Sequence, residues 1–215
     1  MSLFITFEGI EGSGKTTQLL RLLNHLQEIG LPVVATREPG GCPISDAIRK
    51  LLLDPESSTM ASHTELLLYS AARAQHVVEF IRPSLAEGKI VLCDRFADAT
   101  TVYQGAGRGL DMNQLEAINN YATKGLTPDL TLLLDYPAKN GLNRARVRNS
   151  NKGMESEGRF ELETPAFHQR VRQGYLELAN REERIHIIDA LGEEDTVAAR
   201  IMTTVDRFLA CRRTA

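Results

Sequence analysis

The chain has 215 residues, which suits one α/β domain with a sizeable core, and its 42% hydrophobic and 25% charged residues are those of an ordinary soluble globular protein. A net charge of −3 gives no electrostatic footprint for nucleic acid. No run approaches the ~18 apolar residues of a membrane span, and three cysteines without metal spacing (Cys42, Cys93, Cys211) predict a reducing compartment with no disulfide framework, hence a cytoplasmic protein with no membrane partner.

Leu3 to Phe7 reads as a buried strand. Gly9-Ile10-Glu11-Gly12-Ser13-Gly14-Lys15-Thr16 then fits the phosphate-loop pattern G-x-x-x-x-G-K-[ST] at every fixed position. Thr17 to Ile29 follows, with Leu19, Leu22, Leu23, Leu26 and Ile29 at helical spacing. Strand, glycine loop and helix together predict a nucleoside triphosphate site. Its phosphates would meet backbone amides of Gly9 to Thr17 and the helix N-terminus. Lys15 would reach the β- and γ-phosphates, and Thr16 would help hold Mg²⁺. Glu11 is unexpected beside a polyanion and is expected to point toward a second ligand or solvent.

Leu31 to Thr36 predicts a second strand, ending in Arg37-Glu38-Pro39-Gly40-Gly41, a rigid entry into a turn. A helix is expected over 44–53 and a polar break over 57–62. His63 to Glu87 is one long helical pattern that Pro83 kinks or divides and Gly88 closes. Ile90 to Cys93 is a short buried strand. Asp94 at its end is placed to act on Mg²⁺ as a Walker B acid, and Arg95 to pair with a phosphate. The run 105–109, with three glycines, predicts irregular chain. Asp111 with Gln114 signals a helix start, and the helix runs to about Thr123. Leu130 to Leu134 and Ile185 to Ile188 complete five strands. Helices are expected over 138–148, 164–180 and 194–211, and a mobile loop over 149–158. Five strands alternating with helices predict a phosphate-loop NTPase type of fold, a mostly parallel sheet with helices on both faces. No domain-sized linker interrupts the chain, so residues 1–215 read as one domain with a short lid at about 144–160.

Tyr69 and Arg73, four apart, share a helix face. A ring and a guanidinium side by side suit a base, and they equally suit a half-buried face with a local cation–π contact. Arg144, Arg146, Arg148, Lys152 and Arg159 gather positive charge around the lid, as the approach of two polyphosphates requires.

Taken together, Phe7 to Gln18, Arg37-Glu38-Pro39-Gly40-Gly41, Leu68 to Arg73, Asp94-Arg95-Phe96 with Tyr103-Gln104-Gly105, and Pro128 to Asp135 resemble the thymidylate kinases of the bacterial type, over nearly the whole chain. The resemblance implies a nucleoside monophosphate kinase that transfers the γ-phosphoryl group of ATP to dTMP, with Mg²⁺, as a homodimer. It implies that Glu11 contacts the acceptor's 3′-hydroxyl. Glu38, Arg49 and Arg95 would surround the acceptor phosphate. Tyr69 would stack on thymine, Arg73 bond its O4, Thr100 and Gln104 help read the base, and Tyr103 crowd a 2′-hydroxyl. Some members carry a catalytic cation in the phosphate loop where this chain has Gly12. The other group takes it from the lid, and here Arg159 is expected in that role, joining Lys15 and Arg95 in catalysis with Arg148 and Lys152 as support. Cys42-Pro43 departs from the usual Thr, and Phe96-Ala97-Asp98-Ala99 differs around the base contacts.

Two other readings share the phosphate loop. A regulatory GTPase needs Asn-Lys-x-Asp. The nearest run, Asn151-Lys152-Gly153-Met154, lacks the Asp, and Asp189-Ala190-Leu191-Gly192 lies in the wrong order for D-x-x-G. Another nucleotide or deoxynucleoside kinase would fit as well. In the deoxynucleoside case a hydroxyl attacks and Glu38 becomes a candidate base.

Overall fold

The structure, a computed structural model, describes residues 2–152 and 158–214. Five parallel strands, β1 (Leu3–Glu8), β2 (Val33–Arg37), β3 (Ile90–Asp94), β4 (Leu130–Asp135) and β5 (Ile185–Asp189), form one sheet in the order β2-β3-β1-β4-β5. Register is set in the middle of the sheet. Ile5 pairs with Leu92 on one side and Leu130 on the other, and Phe7 with Asp94 and Leu132. Because every strand is parallel, their carboxyl ends share one edge, where ligands bind in open α/β sheets.

Alternation along β1 divides the core. Leu3, Ile5 and Phe7 pack with Leu19, Leu22 and Leu26 of helix α1 (Lys15–Glu28) and with Ile201, Val205 and Leu209 of the last helix. Phe4 faces the other way, against Val77, Ile81, Val91 and Phe96. The remaining helices are α2 (Pro43–Leu53), α3 (Ser62–His76), α4 (Arg82–Ala86), α5 (Ala97–Thr100), α6 (Met112–Thr123), α7 (Ala138–Lys152), α8 (Pro165–Ala179) and α9 (Glu194–Thr214). The expected elements are present with ends shifted by a residue or a few, as helix ends fray and strand ends extend.

Three stretches differ from expectation. The long pattern from His63 is divided ahead of Pro83 not by a break but by a π turn: Val77–Ile81 joins α3 to α4, and Arg82 N–H bonds back to Val77 O. The wider turn carries the chain into a segment whose Pro83 has no N–H to give. The run 105–109 is not irregular throughout, because a second π turn, Thr101–Gly107, continues from α5. Its glycines serve close packing: a Cβ on Gly105 would sit 2.6 Å from Met112 Sδ, and one on Gly107 2.7 Å from the Phe167 ring. Finally, 149–152 belong to α7 rather than to a loop; the rest of the expected lid loop, 153–157, lies outside the described residues. Cys42, Cys93 and Cys211 form no disulfide among the described residues.

Candidate functional site

The loop between β1 and α1 turns on glycines at positive φ, Gly9 (137°), Gly12 (70°) and Gly14 (92°). α1 starts at Lys15 with no side-chain cap and no acidic residue in its first turn. Its first amides are therefore left for an anion. Lys15 Nζ folds over the loop, donating to Gly9 O (3.1 Å) and Ile10 O (2.8 Å). Burial pushes its ammonium down to about 8, with Arg95 adding to the shift and Asp94, Glu11 and Glu8 opposing it. Thr16 Oγ1 donates to Asp94 Oδ2 at 2.5 Å, so the loop threonine and the acid at the end of β3 meet.

Gly12 also explains why this loop carries no cation. A Cβ there would lie 2.1 Å from Gly141 O, and a Cβ on Gly141 would lie 2.4 Å from Glu11 O. The two glycines let α7 seat its backbone directly on the phosphate loop, and Arg144 of the same helix lines the cleft.

Arg95 holds a left-handed φ of 72°, unusual for a residue with a Cβ. Its backbone N–H bonds to Phe7 O. Its Nη1 donates to Gly9 O (2.8 Å) and Tyr175 Oη (3.1 Å), and its Nη2 to Glu11 Oε1 (3.0 Å) and Tyr103 Oη (3.0 Å). Tyr103 Oη also donates to Glu11 Oε1 at 2.5 Å. Burial works to raise the Glu11 pKa, but the Arg95 charge and lesser contributions hold the carboxyl well below the usual range. Its Oε2 is buried without a donor, although His168 Nδ1 stands 3.3 Å away. Behind Arg95 lies Glu8, whose Oε1 accepts from Phe96 N–H (2.7 Å) and Oε2 from Tyr175 Oη (2.6 Å). Burial and the Asp98 charge push Glu8 up to about 7 against the pull of Arg95.

At the other end of the cleft Arg73 is 2% exposed. Its Nε donates to Glu38 Oε2 (2.8 Å), its Nη1 to Thr100 Oγ1 and Asn119 Oδ1 (2.9 Å each), and its Nη2 to Phe96 O (3.0 Å). Four of five N–H groups are thereby committed, leaving one for a ligand. Glu38 Oε1 takes His76 Nδ1 (3.0 Å), so both its oxygens are occupied. This carboxylate orients Arg73 and His76 where it lines the cleft. Tyr69 is half-buried with its ring on the cleft. Arg49 Nη1 donates to Pro39 O and also lines the cleft.

One cleft of about 1200 Å³ joins the loop (Ser13 to Thr17) to Tyr69, Arg73, Arg95, Thr100, Tyr103 and Gln104. Arg159, expected to act in it, is placed elsewhere. It is 5% exposed, with Nε on Leu52 O (2.5 Å) and Nη1 on Glu65 Oε2 (2.7 Å). A buried carboxylate and a carbonyl hold this guanidinium, which is not among the residues that line the cleft. The side chains of Arg148 and Lys152 lie outside what is described.

Glu65, Asn119, His76, Tyr175, His168 and Glu8 shape the site and are absent from the sequence reading. Only Glu65 left a signal, one and two turns before Tyr69 and Arg73 on one helix face. Asn119 and Tyr175 reach the site through tertiary packing alone.

The family model described as thymidylate kinase matches residues 7–201. A thymidylate kinase of Syntrophotalea carbinolica is 55% identical over 210 residues, covering 97% of each chain. One of Desulfosudis oleivorans is 56% identical over 207 residues, 95% of this chain and 97% of that one. The crystal structure of thymidylate kinase from Ehrlichia chaffeensis superposes with a TM-score of 0.76 at 36% identity, covering 95% and 98% of the two chains.

Proposed function

This chain belongs to the thymidylate kinase family, and on that premise we propose that it transfers the γ-phosphoryl group of ATP to dTMP, giving dTDP and ADP. The observation that carries this reading is the single cleft, with an uncapped phosphate loop at one end and the Arg73–Glu38 pair at the other. Steady-state ADP release with ATP across dTMP, dUMP, UMP, AMP, GMP and thymidine tests it. Strong preference for dTMP is expected, and turnover of thymidine alone would overturn it.

The acceptor phosphate, with a second pKa near ~6, is mostly dianionic at neutral pH and needs no general base. That agrees with Glu38, whose oxygens are both engaged; the deoxynucleoside kinase reading needed it free. Catalysis then rests on positioning and positive charge. Lys15 and the amides of α1 hold the ATP phosphates. Arg95 and Arg49 receive the acceptor phosphate. Glu11 fixes Arg95 and Tyr103, and its Oε2, with only His168 beside it, suits a sugar hydroxyl. Tyr69 stacks on the base, and Arg73 gives its remaining N–H to O4, with Thr100 and Gln104 beside it. The lid charge comes from α7, where Arg144 lines the cleft, while Arg159 anchors the segment after the lid.

Among the described residues no group of three or more His, Cys, Asp or Glu side chains is arranged to hold a metal. The Thr16 hydroxyl and Asp94 carboxylate are a hard oxygen pair, and they fit Mg²⁺, which keeps waters and takes its remaining ligands from phosphates. Bound there, the ion supplies charge neutralisation at the β- and γ-phosphates.

On this reading the chain is one kinase domain, in the cytoplasm with the soluble nucleotide pool. Among the described residues no helix is long and apolar enough to cross a membrane. Homodimerisation is proposed through α3 and α6. Leu67 (59% exposed) and Val78 (49%) flank Ala71 and Ala74 on one helix face, beside Tyr121 (87%), so large side chains stand next to a groove of small ones.

A further inference from the structure

Glu65 is 1% exposed and takes four donors from three side chains, two of them in one segment. Gln104 Nε2 and Arg108 Nε reach its Oε1 (2.8 and 3.2 Å), while Arg108 Nη2 and Arg159 Nη1 reach its Oε2 (3.1 and 2.7 Å). Burial pushes its pKa up, but hydrogen bonds from Arg108 and Gln104 and the charges of Arg108 and Arg159 outweigh burial and hold it below the usual range. The carboxylate is therefore ionised and only accepts.

An amide has a donating and an accepting end. A carboxylate that only accepts forces Gln104 to present its NH₂ to Glu65. Its Oε1 is the end left over, and among the described residues no donor reaches it. Gln104 lines the cleft beside Thr100 and Arg73. Thymine offers a donor at N3, where cytosine offers an acceptor, and it offers an acceptor at C4, where cytosine carries an amino group. A fixed acceptor at Gln104 and a fixed donor at Arg73 accept the first base and refuse the second.

We propose that Glu65 is a specificity-determining residue acting through Gln104: it fixes which end of that amide faces the base, and so sets the preference for a pyrimidine with an N3–H over cytosine. The proposal rests on the reading that places the base at Gln104. The same carboxylate ties Arg159, after the lid, to this base reader.

The test is kcat/KM for dTMP and dCMP with ATP, using the full chain and its Glu65→Gln, Glu65→Asp and Gln104→Leu variants. A glutamine at 65 both donates and accepts, so the Gln104 amide is free to turn over. The dTMP-to-dCMP ratio is expected to fall roughly tenfold or more, mainly through the two KM values, because a mispaired buried amide costs about that much. A purely structural loss would lower both substrates together and leave the ratio unmoved. Glu65→Asp keeps the charge between the arginines while withdrawing the oxygen from Gln104. It carries the test if the glutamine variant does not fold, with the same direction expected. If Gln104→Leu collapses the ratio while the Glu65 variants that fold keep it, Glu65 is not the determinant and the base reading stands. If Gln104→Leu also keeps it, the placement of the base is wrong and the proposal falls with it.

Discussion

Glu8 is the side chain whose replacement is expected to change how stability depends on pH. It is fully buried, and its pKa is raised from 4.5 to about 7. A raised carboxyl binds its proton more tightly in the folded state than in the unfolded one. Stability from this group is therefore fullest below about pH 4.5 and is lost as pH climbs through about 7. At about 1.4 kcal/mol per unit, a rise from 4.5 to about 7 corresponds to about 3 kcal/mol of ionisation cost at neutral and higher pH. Glu8→Gln keeps the shape and removes the titration. Its amide oxygen still accepts from Phe96 N–H, but its NH₂ turns donor toward Tyr175 Oη, at a pH-independent cost of about 1–3 kcal/mol. Urea denaturation of both proteins at about pH 4.5 and about pH 8 separates the two effects. Relative to wild type, the variant should gain about 2–3 kcal/mol between the two conditions. Glu11 and Glu65, whose lowered pKa values work in the opposite sense, are common to both proteins and cancel in the difference. An offset that is the same at both pH values would refute the claim that Glu8 pays an ionisation cost in this core.

Other changes separate the roles assigned above. Thr16→Ala should lower kcat by roughly 10² and weaken the Mg²⁺ dependence of turnover, while dTMP binding by calorimetry stays unchanged; an unaltered Mg²⁺ titration would remove Thr16 from that role. Gly141→Val cannot fit against Glu11 O, so α7 should lift from the loop, with kcat falling at least ~10-fold and the dTMP KM little changed. Wild-type kinetics would show that the α7 seat is dispensable. Arg159→Ala should cost about 1–2 kcal/mol in denaturation by removing one of the two arginines on the buried Glu65 carboxylate. A severe fall in kcat with full stability would return this arginine to the chemistry. Leu67→Glu places a charge on the exposed α3 stripe and should give monomers in light scattering, whereas an unchanged dimer would move the interface elsewhere.

The sequence spelled out the parts of this protein whose physics is local. A phosphate loop needs glycines, a lysine and a hydroxyl at fixed short spacing, and Gly9 to Thr16 supply them between an apolar run and a helical one. Strand order, by contrast, was not written in the chain, although five strands with helical crossovers were. Glycine was ambiguous for the same reason. Gly105 and Gly107 look like a turn, and only the approach of Met112 and Phe167 shows that they make room for neighbours. Pro83 looked like a break, and a π turn before it removed the conflict.

Tertiary structure alone decided what each site residue is for. That Glu38 orients Arg73 depends on His76 and Arg73 closing on its two oxygens. Whether Arg159 reaches the nucleotide depends on Glu65, 94 positions earlier in the chain, capturing it first. Tyr175 comes to Glu8 across 167 positions. Short-range spacing fixes which backbone shapes are possible. Which carboxylate neutralises which cation is settled only when the fold removes both from water, because an unpaired buried charge costs more than the chain can bear and each takes the partner within reach.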